Sequence, residues 1–206
     1  MNGFQATIAV TNPNQYLGTS QRAIDLVTTR TYQDRLGIEA KASYSWTGDV
    51  AGKVWVSGAS YDVQTATEAN KYTATAIDIG ATITSGNLGL TGYYYSGEGL
   101  GTTLFGANGA NGDDKRDSDG GYLQATYVIP TGTKLGVAYG VSNLDKASGE
   151  ADSNLVDSNE RWTVGAYHPL TKHLNLVAEY NSIESEAHND NKRESDTFSL
   201  GAILFF

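Results

Sequence analysis

The sequence predicts an all-β fold, an antiparallel transmembrane β-barrel whose strands follow one another as an up-and-down meander. Three observations predict it. Apolar residues recur at every second position along most of the 206 residues, which is the period of a β-strand. The connections between these stretches alternate between short and long, and the last strand stays apolar on one face up to Phe206. About ten such strands lie in the chain, most of them roughly the 9–11 residues that cross a bilayer when tilted.

The first half of the chain contains five predicted strands, near residues 3–11, 32–46, 52–64, 70–84 and 87–96. In the second strand Leu36 and Ile38 share one face, while Glu39 and Lys41 occupy the other. In the fourth, isoleucines alternate with Asp78, glycine and threonine. The third strand, "GKVWVSGASY", leaves its apolar face undecided.

The second half contains five more predicted strands, near residues 120–130, 133–144, 159–169, 172–184 and 195–206. In the ninth strand Leu174, Leu176 and Tyr180 lie opposite Glu179. Across the chain, one face carries Leu, Ile, Val and Ala, with Tyr and Trp toward the strand ends, and the other carries Gly, Ser, Thr and scattered charges. Lipid outside and a wet lumen inside explain both faces. A soluble β-sandwich, the alternative, needs large residues on its inner faces to fill a core.

The connections predict that all tight turns lie at one end of the sheet. Short connections span 47–52, 85–87, 131–133 and 169–173. Long polar connections span 12–31, 97–119, 145–158 and 185–194, and that at 65–69 is shorter. Short turns on one side of the membrane and long loops on the other are typical of transmembrane β-barrels.

Composition excludes several classes of function. The chain has no cysteine, which rules out disulfides, thiolate metal sites and cysteine nucleophiles. The net charge of −9 argues against nucleic acid as a partner. No stretch is long and apolar enough for a transmembrane helix, and "MNGFQATIAV" is not a signal peptide. We therefore expect a chain that is not exported, one whose signal was removed, or a piece of a longer protein. We expect no cofactor, no metal site and no catalytic residue.

The C-terminus carries a more specific pattern. Ser199, Gly201, Leu204 and Phe206 have the spacing polar–x–Gly–x–x–apolar–x–aromatic. This spacing resembles the C-terminal signal of Gram-negative outer-membrane proteins, which the barrel assembly machinery recognises. A terminal aromatic ring also suits the membrane–water interface.

The segment "WTVGAYHPLTKHLNLVAEY" resembles the penultimate hairpin of the Gram-negative general porins, and "NGFQATIAV" resembles one of their mid-barrel strands. The first match rests on residues in both strands and in the turn between them, Gly165, Ala166, Leu170, Thr171, Lys172, Ala178, Glu179 and Tyr180.

Members of that family are usually sixteen-stranded trimers whose third loop folds into the pore, and here such a loop would precede residue 1. Two interpretations stay open. Residues 1–206 form either one β-barrel domain that closes on about ten strands or the C-terminal part of a sixteen-stranded barrel.

The resemblance implies an outer-membrane porin that forms a water-filled channel for passive diffusion of ions and small hydrophilic solutes. It implies outer-membrane lipid, lipopolysaccharide, the barrel assembly machinery and, in the full porin, a homotrimer as partners. Inward-facing charges are the candidates for the pore lining, namely Arg35, Glu39, Lys41, Asp78, Arg161 and Glu179.

Other functions receive weaker support. A structural or adhesive barrel would have similar loops. A ten-stranded surface protease would need His and Asp near the loop-side strand ends, but His168 and His173 are predicted at turns and His188 lies alone in a loop. Asp117, Asp119 and Gly120 have the D-x-D-G spacing of a Ca²⁺ loop without its final glutamate, so we expect a solvated loop at 113–121.

Overall fold

Ten antiparallel strands form one sheet in the computed structural model, which describes residues 2–11, 36–64, 71–102, 108–151 and 154–206. Each strand pairs with its neighbours in chain order, apart from a small hairpin, β6 and β7, that lies outside the sheet. The strands are β1 (Gly3–Thr11), β2 (Gly37–Trp46), β3 (Val50–Gln64), β4 (Lys71–Ser85), β5 (Leu88–Glu98), β6 (Ala110–Asn111), β7 (Asp114–Lys115), β8 (Asp117–Val128), β9 (Lys134–Leu144), β10 (Val156–Pro169), β11 (Leu174–Ala187) and β12 (Lys192–Leu204). The predicted antiparallel meander is confirmed.

Several strand ends on the loop side differ from the prediction by a few residues, and those of β8, β11 and β12 change what was predicted to be loop. β8 begins at Asp117, so Asp117 and Asp119 belong to a strand rather than to a solvated loop. β11 and β12 continue to a tight connection at 188–191, where a long loop was predicted. Ion pairs join the polar ends of β11 and β12. The Lys192 ammonium lies 2.7 Å from the Glu184 carboxylate and 3.0 Å from the Glu186 carboxylate.

The register places the apolar and polar residues on opposite faces of the sheet. One row of paired residues crosses all ten strands on the apolar face: Phe4, Tyr44, Val54, Ala81, Gly92, Leu123, Tyr139, Trp162, Ser182 and Asp196. The next row lies on the polar face: Gln5, Ser43, Trp55, Gly80, Tyr93, Tyr122, Gly140, Arg161, Ile183 and Ser195.

Exposure is inverted relative to a soluble domain. Large apolar side chains on the apolar face are open, as Leu123 at 70% and Leu200 at 75% show, whereas the polar-face residues Ser43 and Asn181 are 7% and 6% exposed. A water-soluble sheet would cover such an apolar face with a second layer. The face is instead suited to the hydrocarbon of a bilayer, in which Leu and Ile side chains can stay in contact with lipid.

The rows run diagonally from the turns to the loops. Phe4 is next to the turn-side end of β1 at Gly3, whereas Asp196 in the same row lies eight residues from the turn-side end of β12 at Leu204. Such a stagger means that the strands are tilted, as the wall of a closed barrel requires. Among the described residues, β1 pairs only with β2 and β12 only with β11.

Among the residues that the structure describes, no helix has the length and hydropathy needed to cross a bilayer.

Candidate functional site

The predicted pore-lining charges share the polar face of the sheet, apart from Arg35, which lies outside the described residues. Lys41, Ser57 and Asp78 are paired in one row across β2, β3 and β4. This arrangement brings Lys41 and Asp78 within two strands of each other, roughly 10 Å apart in the backbone. Glu39 lies one polar-face position closer to the loops on β2, and Arg161 and Glu179 lie on β10 and β11.

Neighbouring side chains on the same face hold each of these charges. The Tyr61 hydroxyl donates to Glu39 Oε1 at 2.6 Å, and the Ser57 hydroxyl donates to Asp78. Tyr167 donates likewise to Glu179. These contacts hold the Glu39, Asp78 and Glu179 carboxylates against the polar face of the sheet.

Arg161 is held by two bonds to one amide. Its Nη2 and Nε donate to the Asn181 side-chain oxygen at 2.6 and 3.2 Å, and Thr163 donates to the same oxygen at 2.8 Å. The side chain therefore lies along the wall between β10 and β11. Arg161 and Glu179 remain far from the Lys41–Asp78 row, since four inter-strand spacings separate β10 from β4.

Aromatic side chains on the polar face were missed by the sequence reasoning, which had assigned Tyr and Trp to the apolar face. Trp55, Tyr93, Tyr95 and Tyr122 all lie on the polar face near mid-strand. Trp55 was the signal available in the sequence, because it stands in phase with Lys53 and Ser57, whereas Val54 and Val56 belong to the other face. The undecided face of β3 is thereby settled.

Two of these rings lie close to glycines of neighbouring strands. A Cβ atom at Gly80 would be 2.1 Å from the Trp55 indole, and one at Gly120 would be 2.9 Å from the Tyr95 ring and 2.4 Å from the Val141 carbonyl oxygen. Glycine at these positions leaves room for the close approach.

On the apolar face, tyrosines mark the boundary of the membrane on the loop side. Tyr139 donates to Glu160 at 2.9 Å and Tyr180 donates to Asp196 at 3.0 Å. Tyr94 makes a longer bond of 3.3 Å to an aspartate of β8. Each ring faces apolar neighbours while its hydroxyl reaches a carboxylate, which is the environment of an aromatic girdle at a membrane interface.

Charged residues continue beyond this girdle. Lys192 lies between Glu184 and Glu186, and hydrogen bonds to both carboxylates raise the pKa of its ammonium above its usual range. Such groups belong to the aqueous side of the girdle, because ionised side chains are costly in hydrocarbon.

The connection after β5 turns back over the polar face. Leu100 packs with Val63 and Ala74 near the loop-side strand ends. Thr102 Oγ1 lies 2.5 Å from the Ser142 hydroxyl, which also bonds Tyr95 at 2.7 Å. The family resemblance put a constriction loop before residue 1; residues 99–102 are an inward fold within this chain that the resemblance did not predict.

A buried ion pair joins this connection to the one after β9. The Arg116 guanidinium forms a two-pronged contact with Glu150, and the side chains are 7% and 4% exposed. Arg116 also donates to the Asn108 and Ala110 carbonyls at 2.9 and 3.0 Å. The Glu150 carboxylate in turn accepts from the Ala147 backbone N–H at 3.0 Å. The two connections therefore form one packed layer at the loop end.

The predicted assembly signal divides between the faces. Ser199 and Gly201 lie on the polar face of β12, Leu204 pairs with Leu174 on the apolar face, and the Phe206 ring follows the strand end fully exposed. The role of these residues in assembly remains a prediction.

The three histidines lie apart, as expected. His168 and His173 are on the turn side, and the His188 Nε2 donates to the Leu144 carbonyl at 2.9 Å on the loop side. Within the described ranges, no group of three His, Asp or Glu side chains is placed to bind a metal ion.

A sequence profile of the Gram-negative porins matches residues 1–188. The chain belongs to this family. It is accordingly an integral protein of the Gram-negative outer membrane, and its sheet is part of a β-barrel wall. The match ends before β12, so the C-terminal pattern at 199–206 is independent of it.

Among solved structures, the chain is similar in fold to the outer membrane channel DcaP of Acinetobacter baumannii, with a TM-score of 0.78 and 13% sequence identity. The similarity covers 98% of this chain and 59% of that channel, so this porin spans less than two thirds of the channel's length. No curated protein matches the sequence.

Proposed function

We propose that this porin forms the wall of a water-filled channel through which ions and small hydrophilic solutes diffuse passively across the outer membrane. No catalytic step or cofactor takes part. One observation carries the proposal: a single sheet has an open apolar face and a polar face whose charges are held in place by their neighbours. Family membership and the fold similarity to an outer-membrane channel support it.

The pore lining follows from the same arrangement. We assign it to the charged residues of the polar face, Glu39, Lys41, Asp78, Arg161 and Glu179, together with Arg35 by its position in the sequence. The inward fold at 99–102 narrows the loop-side entrance, because Leu100 and Thr102 lie over the polar face. The entrance then limits the size of the solute, and the charged residues along the wall act on the charge of the solute.

Single-cysteine variants of the full-length protein test the proposal, since this chain contains no cysteine. Glu179→Cys and Leu176→Cys lie on one strand, on opposite faces. In planar bilayers, a charged, water-soluble thiol reagent should change the conductance of Glu179→Cys and leave that of Leu176→Cys unchanged. Absence of any conductance, or an equal response of the two variants, would contradict a channel lined by the polar face.

The partners follow from the apolar face of the sheet and from its polar loop side. We propose that the apolar face contacts outer-membrane lipid, that the polar loop side contacts lipopolysaccharide, and that the full porin assembles as a homotrimer. Recognition by the barrel assembly machinery is assigned to Ser199, Gly201, Leu204 and Phe206. Chemical cross-linking of the full-length protein in outer-membrane vesicles should give a band at three times the monomer mass.

A further inference from the structure

Four aromatic side chains lie close together on the polar face, and we name them the aromatic platform: Trp55, Tyr93, Tyr95 and Tyr122. The centroid of the Tyr93 ring lies 5.6 Å from that of the Tyr122 ring and 6.4 Å from that of the Tyr95 ring, with interplanar angles of 31° and 32°. Trp55 extends over Gly80, and Gly80 is the residue paired with Tyr93. The platform therefore spans four neighbouring strands, β3, β4, β5 and β8, with Gly80 between the Trp55 and Tyr93 positions.

The platform lies at mid-height in the wall. Trp55 and Tyr93 are each five residues from the turn-side ends of their strands, at Val50 and Leu88. At about 3.3 Å per residue, this is near the middle of the membrane-spanning part. The rings are therefore placed to meet solutes that pass along the polar face.

Two charged groups stand beside the platform, and one of them, the Lys41 ammonium, can donate a hydrogen bond to a solute. The Lys41 ammonium is 5.4 Å from the centroid of the Trp55 ring. Asp78, paired with Tyr95, accepts from Ser57 through Oδ2, but its buried Oδ1 has no hydrogen-bond partner among the described residues. Because this oxygen is buried, a solute hydroxyl does not reach it, and Asp78 acts on a solute through its charge.

These features select a neutral solute with an apolar ring face and hydroxyl groups on its edge. Aromatic faces are electron-rich and attract the positively polarised C–H groups of such a ring. Lys41 and Asp78 carry opposite charges in one row, so their attractions and repulsions for a charged solute largely cancel, and the site does not need a net charge on the solute. We propose, building on the channel function above, that the aromatic platform binds sugar rings, with a hydroxyl bonded to Lys41.

Tryptophan fluorescence tests binding without conduction. The chain has three tryptophans, of which Trp46 and Trp162 lie on the apolar face. The double variant Trp46→Phe, Trp162→Phe therefore reports Trp55 alone. In detergent-refolded protein, maltotriose should change this fluorescence saturably, and sorbitol, an acyclic polyol, should not. Equal responses to the two polyols, or no response to maltotriose, would overturn the proposal.

Conductance measurements identify the face. Tyr93 and Tyr94 are adjacent in β5 but point to opposite faces. In the full-length channel, Tyr93→Leu should weaken the partial block of ion current by maltotriose up to about tenfold, and Tyr94→Leu should leave it unchanged. A stronger block by benzoate that depends on Lys41 would show an anion site instead.

The two proposals fail in different ways. A channel that conducts potassium chloride but is indifferent to maltotriose retains the proposed function and loses the sugar site. A protein that binds maltotriose at Trp55 but conducts no ions loses the channel and keeps the platform.

Discussion

At the scale of single residues, position on one face or the other decides the consequence of a substitution. Ile79 and Thr82 both belong to β4, yet Ile79 is exposed on the apolar face and Thr82 contacts the Thr91 hydroxyl at 3.1 Å on the polar face. An arginine on the apolar face meets hydrocarbon, whereas one on the polar face meets water in the lumen.

We expect Ile79→Arg to lower the free energy of unfolding by about 2–4 kcal/mol, the cost of an arginine near the bilayer midplane. Thr82→Arg is the matched control and should be tolerated. Urea unfolding of protein reconstituted in lipid vesicles measures both. Similar losses for the two variants would mean that the faces are not divided between lipid and water.

Alternation in the sequence was sufficient to predict which face each charged residue occupies, because a strand's period leaves only two choices. Glu39, Lys41 and Asp78 were assigned to the polar face on this basis, and they lie there. The orientation of an aromatic ring on its face cannot be predicted from this alternation. Whether Trp55 covers Gly80 depends on the register between β3 and β4, which is a long-range property that no local pattern contains.

At the scale of elements, the loop-side layer depends on one buried pair. Removing one partner of a buried ion pair leaves an uncompensated charge and costs about 3–5 kcal/mol. Arg116 also supplies backbone bonds in this layer, since its N–H donates to the Gly109 carbonyl and its carbonyl accepts from the Gly99 N–H, each at 2.9 Å. The pair therefore stabilises the base of the inward fold at 99–102.

Glu150→Ala should accelerate hydrogen exchange at the Gly99 and Arg116 amides by at least about a hundredfold, since the opening cost falls by roughly 3–5 kcal/mol. The Glu186→Ala variant, which removes one partner of Lys192 from a partly buried ion pair away from this layer, is the control and should leave these amides unchanged. Native-state exchange followed by mass spectrometry measures the difference. Unchanged exchange in Glu150→Ala would show that the layer is held by other contacts.

The last strand offers a separate prediction. The Phe206 ring is fully exposed and can contribute at most about 1.5–3 kcal/mol by burial in the interface, which a ten-stranded sheet can lose without unfolding. Deleting Phe206 from the full-length protein should sharply reduce membrane insertion in cells but leave detergent refolding intact. Heat-modifiable migration on a gel reports folding. An equal loss of refolding would make the ring structural rather than a recognition element.

At the scale of the whole molecule, strand order and tilt follow from the sequence more completely than the loops do. The strand count, the antiparallel order and most strand bounds were predicted, because alternating stretches and short turns leave little freedom. The loop side of the sheet was predicted less well. β11 and β12 extend into the predicted loop at 185–194, where Lys192 pairs with Glu184 and Glu186. The burial of Arg116 depends on contacts between separate connections, which no local pattern contains.

The net charge of −9 predicts a weak preference for cations. Reversal potentials in a potassium chloride gradient should give a potassium-to-chloride permeability ratio slightly above one. Glu179→Gln should lower the ratio and Lys41→Gln should raise it, because both side chains lie on the polar face. Raising the salt concentration should weaken all of these differences by screening. A chloride preference in the unchanged protein would contradict the assignment.

The rings that lie over glycines have a consequence for how this wall can change during evolution. A larger residue at Gly80 would push the Trp55 indole into the lumen, and loss of the indole would leave Gly80 bare and its strand weaker. Neither change is neutral alone, whereas the two together are. In an alignment of relatives, each ring should therefore covary with its glycine across the strand pair rather than with its neighbours in sequence. The pairs to examine are Tyr61 with Gly37 and Trp55 with Gly80, where a Cβ atom would meet side-chain atoms alone.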